Sequence, residues 1–276
     1  MHRKLTMGYS PCPNDTYIFH ALASGIVSWP EGLEITLADV EELNGLAASG
    51  ALDVVKVSVA AAADILDDYV LLRAGGAMGY GVGPLLVAGE ACDLAALDGR
   101  KVAIPGRNTT ANLLFGLCCR EAGIEVELIE MVFDEVMPAV VAGDVVAGVV
   151  IHEGRFTFAR QGLTCVLDLG AWWENHTGMP IPLGAIAIKR SLGLEVAAQM
   201  NEAIRQSVFA ARENPAAGRE YIKSHAQEMD NDVIATHINT FVTDYSLDVG
   251  GGGVEAVSRL LKEAGCKRED IFITSE

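Results

Sequence analysis

The run Ala147-Gly148-Val149-Val150-Ile151 stops abruptly at His152-Glu153, with Gly154-Arg155 behind it. A short, unbroken, β-branched run of this kind is a strand buried on both faces, as in a parallel sheet covered by helices. That inference restricts the chain to α/β architecture. A polar residue directly after such a strand stands at its carboxyl end, where open α/β sheets bind ligands. His152 either ends the strand by bonding a nearby carbonyl or works on a ligand at that edge. The strand pattern leaves both open.

The same strand–turn–helix order recurs along the chain. Leu5 to Tyr9 reads as a strand, and the turn Ser10 to Asp15 opens a helix over Thr16 to Ser24 with Asn14 or Asp15 as its cap. Strands over Glu34 to Leu37, Asp53 to Val57 and Tyr69 to Leu72 alternate with helices over Val40 to Ser49 and Val59 to Ile65. The glycine-dense segment Gly75 to Pro84 precedes a strand, Leu85 to Val87, where a dinucleotide fingerprint requires a helix. It is expected to form a close-packed turn bordering a cleft.

A second unit begins near Asp93, with strands over Lys101 to Ile104, Glu125 to Glu130 and Cys165 to Leu169 around the central run. Its helices are expected over Ala111 to Glu121 and Glu135 to Val141. Ala171 to Pro182, with Trp172 and Trp173, reads as a break in regular structure and a second crossing between lobes. Gly184 to Lys189 rejoins the first sheet. Helices follow over Leu194 to Glu213, Pro215 to His225, Asp230 to Val242 and Gly253 to Ala264, with Gly250 to Gly253 separating the last two. The expected fold is therefore α/β and bilobal. Residues 1–88 and 183–276 form a discontinuous lobe I, residues 89–182 form lobe II, and a helical C-terminal tail completes a binding-protein fold with its ligand in the central cleft.

Composition fits. Half of the 276 residues are hydrophobic and mean hydropathy is +0.28, enough for two ordinary domains. No apolar stretch approaches the roughly 18 residues of a membrane span, and no h-region follows Arg3 and Lys4, so the expectation is a cytoplasmic protein without a membrane partner. A net charge of −17 argues against nucleic acid but leaves room for a small anion held by local dipoles. Cys12, Cys92, Cys118, Cys119, Cys165 and Cys266 form no CxxC, and no HExxH or acidic cluster appears. Reduced thiols and no metal site are expected.

Two turns share one construction: Pro13-Asn14-Asp15-Thr16 and Gly106-Arg107-Asn108-Thr109-Thr110. Each sets amide or hydroxyl side chains at the free N–H end of a helix, which is either ordinary capping or an anion site. Lys56 needs an ion pair or a ligand at the end of its apolar strand, and Ser58 either caps the next helix or donates to that ligand. His20, His176, His225 and His237 have no matched partner in sequence and read as structural or solvent-facing. Cys12 has no histidine near it in sequence to make it a nucleophile. Imidazole as a class titrates near pH 6.5, which suits His152 to general-base work; Glu153 either orients it or faces water.

Laid out together, these segments resemble the 1,4-dihydroxy-6-naphthoate synthase family of the futalosine route to menaquinone. The resemblance rests on Gly8 to Thr16, Asp39 to Asn44, Gly75 to Ala77, Gly81 to Pro84, Pro105 to Ala111, Ile151 to Thr157, Asp168 to Trp173 and Ser246 to Gly250. It implies a periplasmic-binding-protein-like (type II) fold and a cofactor-free carbon–carbon lyase acting on a small carboxylated substrate, cyclic dehypoxanthine futalosine. It also implies a proton acceptor at His152 and substrate-binding segments at Lys56-Val57-Ser58 and Thr109-Thr110. Asn14, Asp15, Arg107 and Glu153 are additional candidates. The alternatives are chorismate dehydratase of the same pathway and a non-catalytic solute-binding protein for small anions. Oligomeric state is unknown.

Overall fold

The runs at Leu5–Tyr9 and Val54–Ser58 are buried along almost their whole length, so both lie inside a sheet and not at its rim. The computed structural model describes residues 4–226 and 230–274. The chain divides into two compact units, Met1–Gly79 with Pro182–Glu276, and Tyr80–Ile181.

In the first unit, β1 (Leu5–Tyr9), α1 (Pro13–Ala23), β2 (Leu33–Leu37), α2 (Val40–Ala48), β3 (Val54–Ser58), α3 (Val59–Ile65), β4 (Tyr69–Leu71) and β5 (Ala77–Gly79) follow in order. The return strand, numbered β11 in chain order (Ile181–Lys189), runs antiparallel between β3 and β4, giving the order β2-β1-β3-β11-β4 with β5 on β11. β1 is parallel to both β2 and β3. The helices α8 (Leu194–Glu213), α9 (Arg219–His225), α10 (Asn231–Phe241) and α11 (Gly250–Glu263) close this unit. Ile18, Phe19, Met200, Ile204 and Val208 bury the faces of α1 and α8 with the strand residues Met7, Val54 and Ile186.

The second unit holds β6 (Leu85–Ala88), β7 (Lys101–Ile104), α4 (Thr110–Ala122), β8 (Glu127–Glu130), α5 (Phe133–Ala142), β9 (Ala147–Val150), α6 (Gly154–Thr157), β10 (Thr164–Asp168) and α7 (Leu169–Thr177). Their order is β10-β6-β9-β7-β8. β7 is parallel to β8 and β9, while β6 is antiparallel to β9 and β10. Leu85, Val87, Ala103, Val136, Val140 and Val150 form the core beneath α5.

Several expectations change: α9 begins at Arg219 and not at Pro215, and Ala77–Gly79, inside the expected turn, is strand β5. α1 begins at Pro13, because a first-turn proline gives up no helix hydrogen bond; Cys12 takes the cap position, and Asn14 and Asp15 lie buried in the first turn. Leu85–Ala88 is buried throughout, needs a strand on each side, and finds them in the second sheet instead of lobe I. Ala171 to Thr177 is helical: Asp168 accepts from the N–H groups of Gly170 and Ala171, and Gly178 ends the helix at φ 68°. Gly250 to Gly253 starts α11 and does not separate it from α10; Asp248 Oδ1 accepts from the Gly250 N–H at 2.7 Å.

Candidate functional site

In the second unit, Val102 and Ala103 of β7 pair in parallel with Ala147 and Gly148 of β9. The segments leaving their carboxyl ends, Pro105 to Thr110 and Ile151 to Glu153, therefore start side by side. β8 runs the same way and hands over to Phe133 at the start of α5. Leu85 pairs with Val150, which brings Gly83-Pro84 to the same edge.

His152 takes φ 54°, the only positive φ at a non-glycine position among the described residues. Backbone in that region costs a residue with a Cβ about 1–3 kcal/mol and persists where surrounding structure over-determines it. The over-determination is visible. Phe133 and the half-buried imidazole pack in a T-shaped pair, ring centroids 5.0 Å apart at 71°. The chain then turns straight into α6, where Arg155 donates to the Gly83 carbonyl at 2.6 Å and to Asp168 Oδ2 at 2.7 Å. The other oxygen of Asp168 caps α7. Gly83 and Gly170 pack backbone on backbone; a Cβ on Gly83 would lie 2.2 Å from Gly170 Cα.

Around it, Thr109 caps α4 by accepting from the Asn112 N–H at 3.2 Å and donates to the Gly106 carbonyl at 2.8 Å. The capping reading is thus realised at Thr109, and Thr110 is buried at the first helical position. Arg107 is exposed and paired with Glu130 at 3.1 Å. Glu153 is half-buried at the start of α6.

In the first unit, Lys56 lies inside β3, 5% exposed, and Asp15 is 2% exposed. Lys56 Nζ donates to Asp15 Oδ1 at 2.8 Å and to the Gly75 carbonyl at 3.0 Å. A lone charge so deep would be prohibitive, and the pair with its extra hydrogen bonds offsets that cost. Asp15 Oδ2 accepts from Ser10 Oγ at 2.8 Å and Oδ1 from Asn14 Nδ2 at 2.9 Å. Asn14 Oδ1 meets His237 Nε2 at 3.0 Å. Ser58 occupies the cap position of α3 without a side-chain cap bond; Asn44 instead clamps it, donating to Ser58 Oγ and accepting from the Ser58 N–H. Val57 is wholly in the core.

Structure thus gathers Asn14, Asp15 and Lys56 into one network, and Arg107, Thr109, Thr110, His152 and Glu153 onto segments at the carboxyl edge of the other sheet. It adds Asn44, Phe133 and His237. No spacing could have found His237, which meets Asn14 only through the fold, whereas Asn44 sits in a segment that carries the family resemblance. Burial pushes the thiols of Cys118 and Cys119 up to about 12 and about 11, which keeps them protonated and inert. Burial, reinforced by the Tyr221 hydroxyl, likewise pushes Tyr9 up.

The family described as menaquinone biosynthesis matches residues 5–265. The chain belongs to this family. A member from Thermus thermophilus is 49% identical over 260 residues, 94% of this chain and 93% of the relative. One from Streptomyces coelicolor is 47% identical over 265 residues, 95% and 93% of the two chains. Both relatives are named 1,4-dihydroxy-6-naphthoate synthase. A solved structure from Archaeoglobus fulgidus superposes with a TM-score of 0.89 at 35% identity, covering 95% of this chain and 97% of the other. The periplasmic aliphatic sulphonate-binding protein of Escherichia coli, 13% identical, superposes with a TM-score of 0.65 over 98% of this chain and 91% of its own. At that distance the likeness shows the fold alone: this menaquinone-biosynthesis family member is an α/β protein of the periplasmic-binding-protein type. No helix among the described residues is long and apolar enough to cross a membrane.

Proposed function

We propose that this protein is a cytoplasmic carbon–carbon lyase that converts cyclic dehypoxanthine futalosine into 1,4-dihydroxy-6-naphthoate, with His152 as general base. Near-half identity to two relatives of that name, over more than nine-tenths of each chain, supports the activity. The observation that carries the base is the left-handed, ring-braced conformation of His152 directly after the central strand, since strained backbone gathers at working sites.

Proton removal by His152 starts carbon–carbon cleavage, which releases a small sugar-derived fragment beside the naphthoate, and formation of the aromatic naphthalene draws the reaction on. Lys56, Val57 through its backbone, Ser58, Thr109 and Thr110 are proposed to hold the substrate, with Asn14, Asp15, Arg107 and Glu153 in support. Fixed donors at the ends of helices position the substrate for the base and offset charge as it develops. No cofactor enters this scheme.

Purified protein offered cyclic dehypoxanthine futalosine and chorismate side by side, without added cofactor, tests the reading. Naphthoate should accumulate while chorismate persists. Consumption of chorismate points to the dehydratase, and a ligand bound but unchanged points to a solute receptor; either overturns the proposal.

A further inference from the structure

His237 lies on α10, is fully buried, and takes no part in the scheme above. Its place in the first unit gives it one. Of the two ways round for the Asn14 side chain, only one lets its NH₂ donate to the Asp15 carboxylate at 2.9 Å while its oxygen faces His237. A carboxylate accepts and does not donate, so the amide orientation is fixed. His237 Nε2 must then carry a proton and donate. The chain reads, in donor order, His237 to Asn14 to Asp15, with Lys56 donating to the same Asp15 oxygen, Oδ1, that Asn14 engages.

Asn14 thus fixes the oxygen that holds Lys56, while Ser10 Oγ donates to the other oxygen of Asp15 at 2.8 Å. An ammonium has three N–H donors. Asp15 and the Gly75 carbonyl engage two of them at 2.8 and 3.0 Å, which leaves one for another acceptor. We propose that His237 is a positioning residue, fixing Lys56 through Asn14 and Asp15 so that its remaining N–H meets the carboxylate of the ligand. This rests on the proposed function, in which Lys56 touches the substrate, and it assigns the group that Lys56 recognises.

Two measurements test it. Long-range proton–nitrogen correlation of the imidazoles in the intact protein should show His237 as the Nε2–H tautomer, with the signal changed by Asn14→Ala. This arm needs no ligand. Titration calorimetry then compares 1,4-dihydroxy-6-naphthoate with 1,4-dihydroxynaphthalene, which lacks the carboxylate. His237→Leu should weaken the naphthoate by about tenfold, the scale of one charged hydrogen bond, and leave the neutral naphthalene unchanged. His237→Gln, whose amide keeps a donor, should restore most of the loss. Equal weakening of both compounds, or of neither, overturns the role of His237, as does the Nδ1–H tautomer. Turnover by the native protein with His237→Leu indifferent defeats this inference alone. Absence of both turnover and naphthoate binding defeats the proposed activity with it.

Discussion

At the scale of single residues, the account turns on positions where the backbone leaves little choice. His152 sits where a residue with a side chain is strained, and the segment behind it is held by Arg155, Asp168, Gly83 and Gly170. The Gly83–Gly170 contact gives a direct prediction. Gly83→Ala would place a Cβ 2.2 Å from Gly170 Cα, and neither backbone has a flexible end to yield. A loss of about 1–3 kcal/mol or more is expected, as for other overpacked sites, read as a lowered denaturation midpoint. The sequence placed His152 at a strand end from the pattern of β-branched residues alone, but nothing in it announces the positive φ. That conformation follows from tertiary neighbours such as Phe133, which are remote in sequence. Lys56 was legible as a charge needing a partner; that the partner is Asp15 depends on β1 and β3 lying side by side.

At the scale of elements, short β-branched strands declare themselves well, and β1, β7 and α8 run over the residues their patterns predict. α7 did not declare itself. Trp172-Trp173-Glu174-Asn175-His176 has weak helical periodicity and precedes Pro180, so the helix depends on the Asp168 cap and the left-handed Gly178. α11 was obscured by four glycines at its start, a sequence that suggests a linker until Asp248 is seen anchoring the first turn. The Asp248 anchor also answers to pH. Its bidentate hydrogen bonds with Arg73, at 2.9 and 2.7 Å, hold the carboxyl below the usual range. A carboxyl lowered in the folded state contributes stability that is complete above its unfolded value of about 3.9 and is lost as pH falls through the lower folded value. Asp248→Asn should therefore lower stability at neutral pH and flatten its acid dependence below about pH 4, measured by denaturant titrations across that range. An unchanged acid slope would show that the pair contributes nothing.

At the scale of the whole molecule, alternation of strands and helices makes the α/β class readable, and the long family segments make the relationship readable. Leu85–Ala88 shows where pattern fails: a buried four-residue strand suits either sheet, and only pairing with β9 and β10 assigns it to the second. The central claim is that His152 removes the proton that begins bond cleavage. Single-turnover kinetics of His152→Ala with cyclic dehypoxanthine futalosine, alongside a binding titration, test it most directly. The account predicts retained binding with naphthoate formation slowed by roughly 10²–10⁴-fold, the range for loss of a general base; formation at the native rate would contradict it.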